Sequence, residues 1–233
     1  MTTTPVIALI FDVETTGLLN MRAPLPSTLD SCPYVLQFSY LMYDITNKKL
    51  IKSVDNYVKI PDTVNIPENA AAVNGITREM CETGKPIVEI LKEFYHDYHC
   101  ANKLVAHNYK YDSRMLTIEM KRNWHLLKKD YPYALNLFDP IYMKNIPMKY
   151  VCTMDSCTNL CQIKFPDNDP NKPIRYKWPT LLQLHFHLFQ YEPENLHNSL
   201  IDCMVCLRCY LKVFCDYGLD EESFKSMSLE VLI

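Results

Sequence analysis

"IFDVETTGLL", residues 10–19, is the stretch that decides the fold. The apolar run from Val6 to Phe11 has the length and composition of a central strand buried on both faces. It gives way to two carboxylates, Asp12 and Glu14, at what reads as the strand's end, followed by a Thr-Thr-Gly turn. Residues at i and i+2 of a strand point to the same face, so the carboxylates converge while Val13 turns into the core. Two carboxylates held that close repel each other unless a cation lies between them. The plain alternative is a solvated Asp and Glu at a strand end, and the rest of the chain must decide.

Outward from this strand, Val35 to Tyr43 and Leu50 to Ile60 are β-branched and aromatic and read as two further strands around the turn Asp44-Ile45-Thr46-Asn47. A Pro-rich loop, Asn20 to Pro33, separates them from the first. Ile87, Ile90, Leu91, Phe94, Tyr95 and Tyr98 then recur at helical spacing before a short strand, Leu104 to Ala106. A helix from about Asp112 carries Met115, Leu116 and Met120, and residues 125–149 look irregular. Val151 to Met154 suits a fifth strand, Thr180 to Phe189 a helix after Pro179, and Asn198 to Tyr217 a long helix, with a short one from Asp220. Three strands, then helices alternating with strands, predict an α/β protein: a mixed five-stranded sheet, three strands antiparallel and the later ones parallel, flanked by helices.

With 233 residues, 48% of them apolar, the chain suits one domain over 1–233, with insertions near 19–33 and 125–149 and a short C-terminal helix after 219. Four glycines against fifteen prolines, without a repeat, exclude collagenous and solenoid classes. A net charge of −3 gives no global attraction to a polyanion, so nucleic-acid binding needs a local patch or metal ions. The N-terminal MTTTPVIALIFD has neither the positive start of a signal peptide nor the length of a membrane span, so no membrane association is expected. Ten cysteines without such a signal point to a reducing intracellular compartment, cytoplasm or nucleus. Cys203, Cys206 and Cys209 share a helix face and read as small buried apolar residues, since a continuous helix is poor geometry for a zinc knuckle.

Two later fragments add polar residues where an apolar core would not place them. In "LVAHNYKYD" (104–112), Asn108 and Asp112 lie one helical turn apart just after a strand. In "ENLHNSLIDCMVC" (194–206), His197 precedes a helix with Asn198 as its N-cap, and Asp202 sits among Ile201, Cys203 and Val205. A carboxylate there is costly unless paired or bound to a metal. His185 and His187 face apart on a helix and make no ligand pair. Tyr131, Tyr133 and Tyr142 suit base stacking or burial equally. The basic stretch from Lys144 to Lys177, with Lys149, Lys164, Lys172 and Arg175 between, suits either phosphate guidance or a solvated loop.

Together these fragments carry a resemblance. Asp12-Val-Glu14-Thr-Thr-Gly-Leu18, then His107-Asn108-x-x-Tyr111-Asp112, then His197-x-Ser-Leu-x-Asp202 resemble the three motifs of the DEDDh 3′-to-5′ exonucleases of the ribonuclease H-like fold, a group that includes polymerase proofreading subunits. "AAVNGITREM" (71–80) resembles the family's HGIT segment, and "VCTM" its fifth strand. The chain departs from the pattern at Asn74 for His, Tyr111 for Phe, Ser199 and Cys203 for alanines, and Cys152 for Asp.

The resemblance implies that Asp12, Glu14, Asp112, His197 and Asp202 are catalytic. The four carboxylates would hold two Mg²⁺ or Mn²⁺ ions, which prefer oxygen ligands. His197 would act as general base. Thr15 and Leu18 would hold the terminal nucleotide, Asn108 would position the strand, and nucleoside 5′-monophosphates would leave from 3′ ends, preferably of single-stranded DNA. An RNA 3′-end-trimming enzyme shares the same constellation, and retention of all five residues counts against a catalytically silent binding module. Single-stranded nucleic acid is the implied partner, with a polymerase or a second copy of the chain as further ones.

Overall fold

The computed structural model describes residues 4–165, 173–215 and 217–231. Its sheet contains β1 (Ile7–Thr15), β2 (Val35–Asp44), β3 (Lys49–Lys59), β4 (Lys85–Pro86), β5 (Lys103–Ala106) and β6 (Lys149–Cys152), in the order β4-β3-β2-β1-β5-β6. β1, β2 and β3 form an antiparallel meander, and β5 and β6 are added parallel to β1. The helices are α1 (Glu68–Asn74), α2 (Arg78–Glu82), α3 (Ile87–Cys100), α4 (Tyr109–Arg122), α5 (Trp124–Leu127), α6 (Pro140–Asn145), α7 (Thr153–Ser156), α8 (Thr158–Cys161), α9 (Leu181–Phe189), α10 (Ser199–Phe214) and α11 (Glu221–Val231). Among the described residues, no helix is long and apolar enough to cross a membrane.

The mixed α/β sheet is the expected one, with a sixth strand at its edge. β4 is two residues long, too short for any periodicity to announce it, and pairs parallel to β3 through Val58 and Lys85. Gly84 makes the approach possible, because a Cβ there would lie 2.5 Å from the Tyr57 carbonyl oxygen.

Strand alternation sorts the core onto the two faces of the sheet. Leu9, Phe11 and Val13 of β1 face α3 and α4 and pack with Phe38, Tyr40, Phe94 and Met115. Ala8 and Ile10 face the other way, toward α10, and pack with Leu41, Tyr43, Val105, Cys203 and Leu207. The late cysteines are therefore core residues: Cys203, Cys206 and Cys209 are all buried.

Several boundaries move. β1 continues through both carboxylates to Thr15, because β2 pairs with it along that whole length. Asp12 is therefore inside the strand, not at its end. α4 begins three residues before Asp112, and β6 stops at Cys152, so Thr153 and Met154 start a helix instead of continuing the strand. The 125–149 segment contains the short helices α5 and α6, the latter capped by Asp139, whose carboxylate accepts from the amides of Ile141 and Tyr142. α9 is stopped and started as its sequence suggests, with a capping box between Thr180 and Gln183.

Candidate active site

The face of β1 that carries Ala8 and Ile10 continues as Asp12 and Glu14, so both carboxylates point toward the α10 side. A bulge between Glu14 and Thr15 ends the regular register, a device that re-aims side chains beside functional sites. β2 changes character in step. Tyr43 and Leu41, opposite Ala8 and Ile10, are followed by Ser39 and Gln37, opposite Asp12 and Glu14.

α10 delivers the second half of the cluster. Asn198 caps it by accepting from the amides of Leu200 (3.1 Å) and Ile201 (3.3 Å), which places Asp202 in the first turn. His197, just outside the helix, takes a left-handed φ of 70°, and its amide donates to Asp202 Oδ1 at 3.4 Å. Ligand-type atoms of Glu14, His197 and Asp202 all lie within 4.8 Å of one another.

Asp112 arrives from α4, where it is almost wholly buried. Its Oδ2 has no hydrogen-bond partner, a costly state for a buried carboxylate unless a cation meets it. Burial is the largest cause pushing Asp12 and Asp112 well above the usual carboxylate range. For Asp12 the charges of Asp112, Asp202 and Glu14 add to it, and for Asp112 those of Glu14 and Asp202. Burial and then Asp202 raise Glu14 to about 8, against a hydrogen bond from Asn74. Burial raises Asp202 to about 7, opposed by the His197 amide. Four carboxylates raised by burial, three of them further by their neighbours' charges and one with an orphaned oxygen, suit hard divalent cations with oxygen-rich coordination.

The turn after β1 is tied by side chains. The Thr15 hydroxyl donates to the Gly17 carbonyl (2.8 Å) and meets the Tyr111 hydroxyl at 2.7 Å, while Tyr111 also donates to Gly17 (2.8 Å). Thr15 is thus buried and engaged within the protein, whereas Leu18 is 92% exposed. The hydroxyl that distinguishes Tyr111 from Phe has this structural use. Asn108 starts α4 in a left-handed conformation (φ 83°) that asparagine tolerates, and its side chain makes no capping bond. A cleft of about 410 Å³ opens beside Leu18, lined by Thr16, Cys32, Tyr34 and Val64 among others. A larger one, about 700 Å³, is lined by Val58, Pro86, Glu119 and Arg122 and by none of the cluster carboxylates.

Sequence reasoning missed two supporting groups. Asn74 Nδ2 donates to the Thr15 carbonyl at 3.4 Å, and the same side chain hydrogen-bonds to Glu14. Gly75, left-handed at φ 69°, closes α1 just after it. The second group is a polar chain under α10. Ser199 Oγ meets Ser39 Oγ at 2.5 Å, Ser39 donates to Asp55 (2.6 Å), Gln37 donates to Asp55 (2.8 Å), and the Ser199 amide donates to Gln37 (3.2 Å). The cross-strand register was the available signal, since Ser39 and Gln37 break an otherwise apolar strand.

Other candidates lie apart. His185 is buried between the Tyr191 carbonyl (3.1 Å) and Arg208 (3.4 Å), and His187 is at the surface. Tyr133 stacks on Tyr142, and Tyr131 packs on Tyr95 of α3. The basic stretch is divided among elements: Lys144 belongs to α6, Lys149 opens β6, Lys164 pairs with Tyr176 in an isolated bridge, and Lys172 falls outside the described residues.

A mixed sheet in this order, with carboxylates from β1, α4 and α10 gathered at the carboxyl ends of its parallel strands, defines an acidic site on the ribonuclease H-like fold. The chain belongs to the exonuclease family, whose RNase T-type pattern matches residues 9–210. It is therefore a nuclease, a hydrolase that binds nucleic acid. No curated protein sequence matches it. Among solved structures it is 14% identical to a 3′-exonuclease in 3′-end-specific recognition of a histone mRNA stem-loop, with TM-score 0.61 over 93% of this chain and 85% of that one. It is 18% identical to cell-death related nuclease 4, with TM-score 0.59 over 91% of this chain and 64% of the relative. It is 16% identical to E. coli Exonuclease I in complex with a dT13 oligonucleotide, with TM-score 0.59 over 89% of this chain and 41% of that one. At such identities the likeness is one of fold.

Proposed function

We propose that the protein is a metal-dependent 3′-to-5′ exonuclease that releases nucleoside 5′-monophosphates. The observation that supports this most is the convergence of Asp12, Glu14, Asp112 and Asp202, with an unpartnered oxygen on Asp112 and His197 beside Glu14 and Asp202. These four carboxylates would hold two Mg²⁺ or Mn²⁺ ions. When bound, the ions supply Lewis-acid stabilisation of the charge that develops on the phosphate and lower the pKa of water.

The protein's own groups do the rest. The His197 imidazole takes the proton of the attacking water, its exposed position leaving the ring free to pass that proton to solvent. The Thr15–Leu18 turn, stiffened by Tyr111, presents its backbone to the terminal nucleotide, and the exposed Leu18 packs on its base. Asn108, with its side chain not spent on capping, orients the strand.

Single-stranded DNA is the preferred substrate in this reading, in keeping with the oligonucleotide bound by the related Exonuclease I. The relative that recognises an mRNA stem-loop supports RNA 3′-end trimming as the second reading. The test is incubation of 5′-labelled single-stranded DNA and RNA with Mg²⁺, Mn²⁺ or EDTA, beside Asp12→Ala and His197→Ala. Stepwise shortening that needs metal and both residues is expected. Metal-independent degradation, or full activity of Asp12→Ala, would sink the mechanism, and the preferred sugar decides between the two substrates.

A further inference from the structure

Trp178 is an exposed indole at the carboxyl edge of the sheet. Trp is usually well buried even when not wholly so, yet this one is 61% exposed. Its place is well defined. Lys164 and Tyr176 form an antiparallel bridge, and the Lys177 amide donates to the Ile163 carbonyl at 2.8 Å, so the segment leading to Trp178 runs along a paired backbone. On its other side, the Pro179 carbonyl accepts from His107 Nε2 at 3.1 Å, and His107 Nδ1 in turn meets the Thr153 hydroxyl at 2.9 Å. His107 directly follows β5 and precedes Asn108, so the tie anchors Trp178 to the strand ends that frame the carboxylate cluster.

The order of strands gives the scale. β5 lies beside β1 and β6 beside β5, and at about 4.8 Å per strand the β5–β6 end is on the order of 10 Å from the β1 carboxylates. That is within reach of a strand whose 3′ end sits at the cluster. Strand alternation sorts the side chains of the bridge by face. Lys164 pairs with Tyr176 on the face to which Trp178, two residues on, also belongs, while Arg175, its guanidinium 5.6 Å from the Phe165 ring centroid, alternates to the other face with Lys177. An aromatic face beside a cation is how sequence-tolerant single-strand binding is built, the ring taking a base and the cation a backbone phosphate.

Resting on the exonuclease reading above, we propose that Trp178, with Lys164, is a stacking platform for a base of the substrate strand upstream of the 3′-terminal nucleotide. Its occupant is single-stranded nucleic acid. The platform would grip the strand that stays behind after each cut, and so set how strongly binding depends on length.

The chain has two tryptophans, so Trp124→Phe leaves Trp178 as the single indole reporter. Titration of that variant with a dodecamer of DNA or RNA in EDTA is expected to quench emission saturably and less at high salt. In hydrolysis assays with metal, Trp178→Ala is expected to raise KM for a dodecamer about tenfold more than KM for a dinucleotide, with Trp178→Phe restoring most of the difference. Binding of a labelled dodecamer without a change in Trp178 emission, no binding at all, or an unaltered KM ratio would overturn the platform. Absence of cleavage by the unmodified protein overturns the exonuclease reading alone, because the emission titration reads the platform without turnover.

Discussion

The two faces of β1 end differently. Toward α3 and α4, Leu9, Phe11 and Val13 stay apolar to the end of the strand, and Phe11 packs against Phe94, Tyr109 and Phe138 at centroid distances of 6.0, 5.8 and 5.8 Å. Toward α10, Ala8 and Ile10 give way to Asp12 and Glu14, and β2 gives way with them from Leu41 to Ser39 and Gln37. One face is built for stability throughout. The other is a core for half its length and a cluster of largely buried carboxylates for the rest, a costly arrangement in the absence of an offsetting charge.

Exchanging the two kinds of residue should separate these roles. Asp12→Asn is expected to lower hydrolysis on the order of 1000-fold or more, while metal-free thermal stability stays level or rises because a mutual repulsion is removed. Phe11→Ala should instead cost about 3–5 kcal/mol in urea unfolding. If Asp12→Asn destabilised the metal-free protein as Phe11→Ala does, the contrast between the faces would be lost.

The pH dependence follows with a definite sign. Raised carboxylate pKa values mean that the metal-free native state binds protons that the unfolded chain has released. Its stability therefore falls as pH rises from the ordinary carboxylate range through the values near 7 and 8 of Asp202 and Glu14. Bound metal removes that penalty, so Mn²⁺ should raise Tm more at pH 8 than at pH 5.5. An equal gain at both would mean that ions do not meet these groups.

Smaller effects probe the border between the halves. Ser39→Ala should cost about 1–3 kcal/mol, because it leaves the buried Ser199 hydroxyl unsatisfied, and Ser199→Ala less, because Ser39 keeps its bond to Asp55. The double variant should cost less than the sum. Activity should fall about tenfold, since the polar chain sets α10, and with it His197 and Asp202, against β1. Additive losses in stability and unchanged kcat would show that these serines only fill space. Leu18→Ala should change stability by less than about 0.5 kcal/mol and raise KM a fewfold, as measured by single-nucleotide release from an oligonucleotide.

Much of this was legible from residue order. The run before Asp12 was long and apolar enough to name β1, and the helical spacing from Ile87 to Tyr98 named α3. Asp202 stood out because a carboxylate among Ile201, Cys203 and Val205 needs a reason. β4 was not legible, since two residues have no period, and neither was the true end of β1, because β2 supplies the pairing that extends it. Thr15 read as a nucleotide contact, and its hydroxyl turned out to be engaged with Tyr111 and Gly17, partners 96 and 2 residues away.

By itself, the sequence determined which residues are chemically out of place: two carboxylates one residue apart after an apolar run, another four residues after Asn108, and a histidine and aspartate at the start of a late helix. Local periodicity and the cost of burying charge suffice for that. Only the tertiary structure decided that these residues meet, that Asn74 and the Ser39–Ser199 pair support them, and that Trp178 is anchored to the end of β5 through His107. Those facts depend on strand register and helix docking, which are properties of contacts between residues 46 to 162 positions apart.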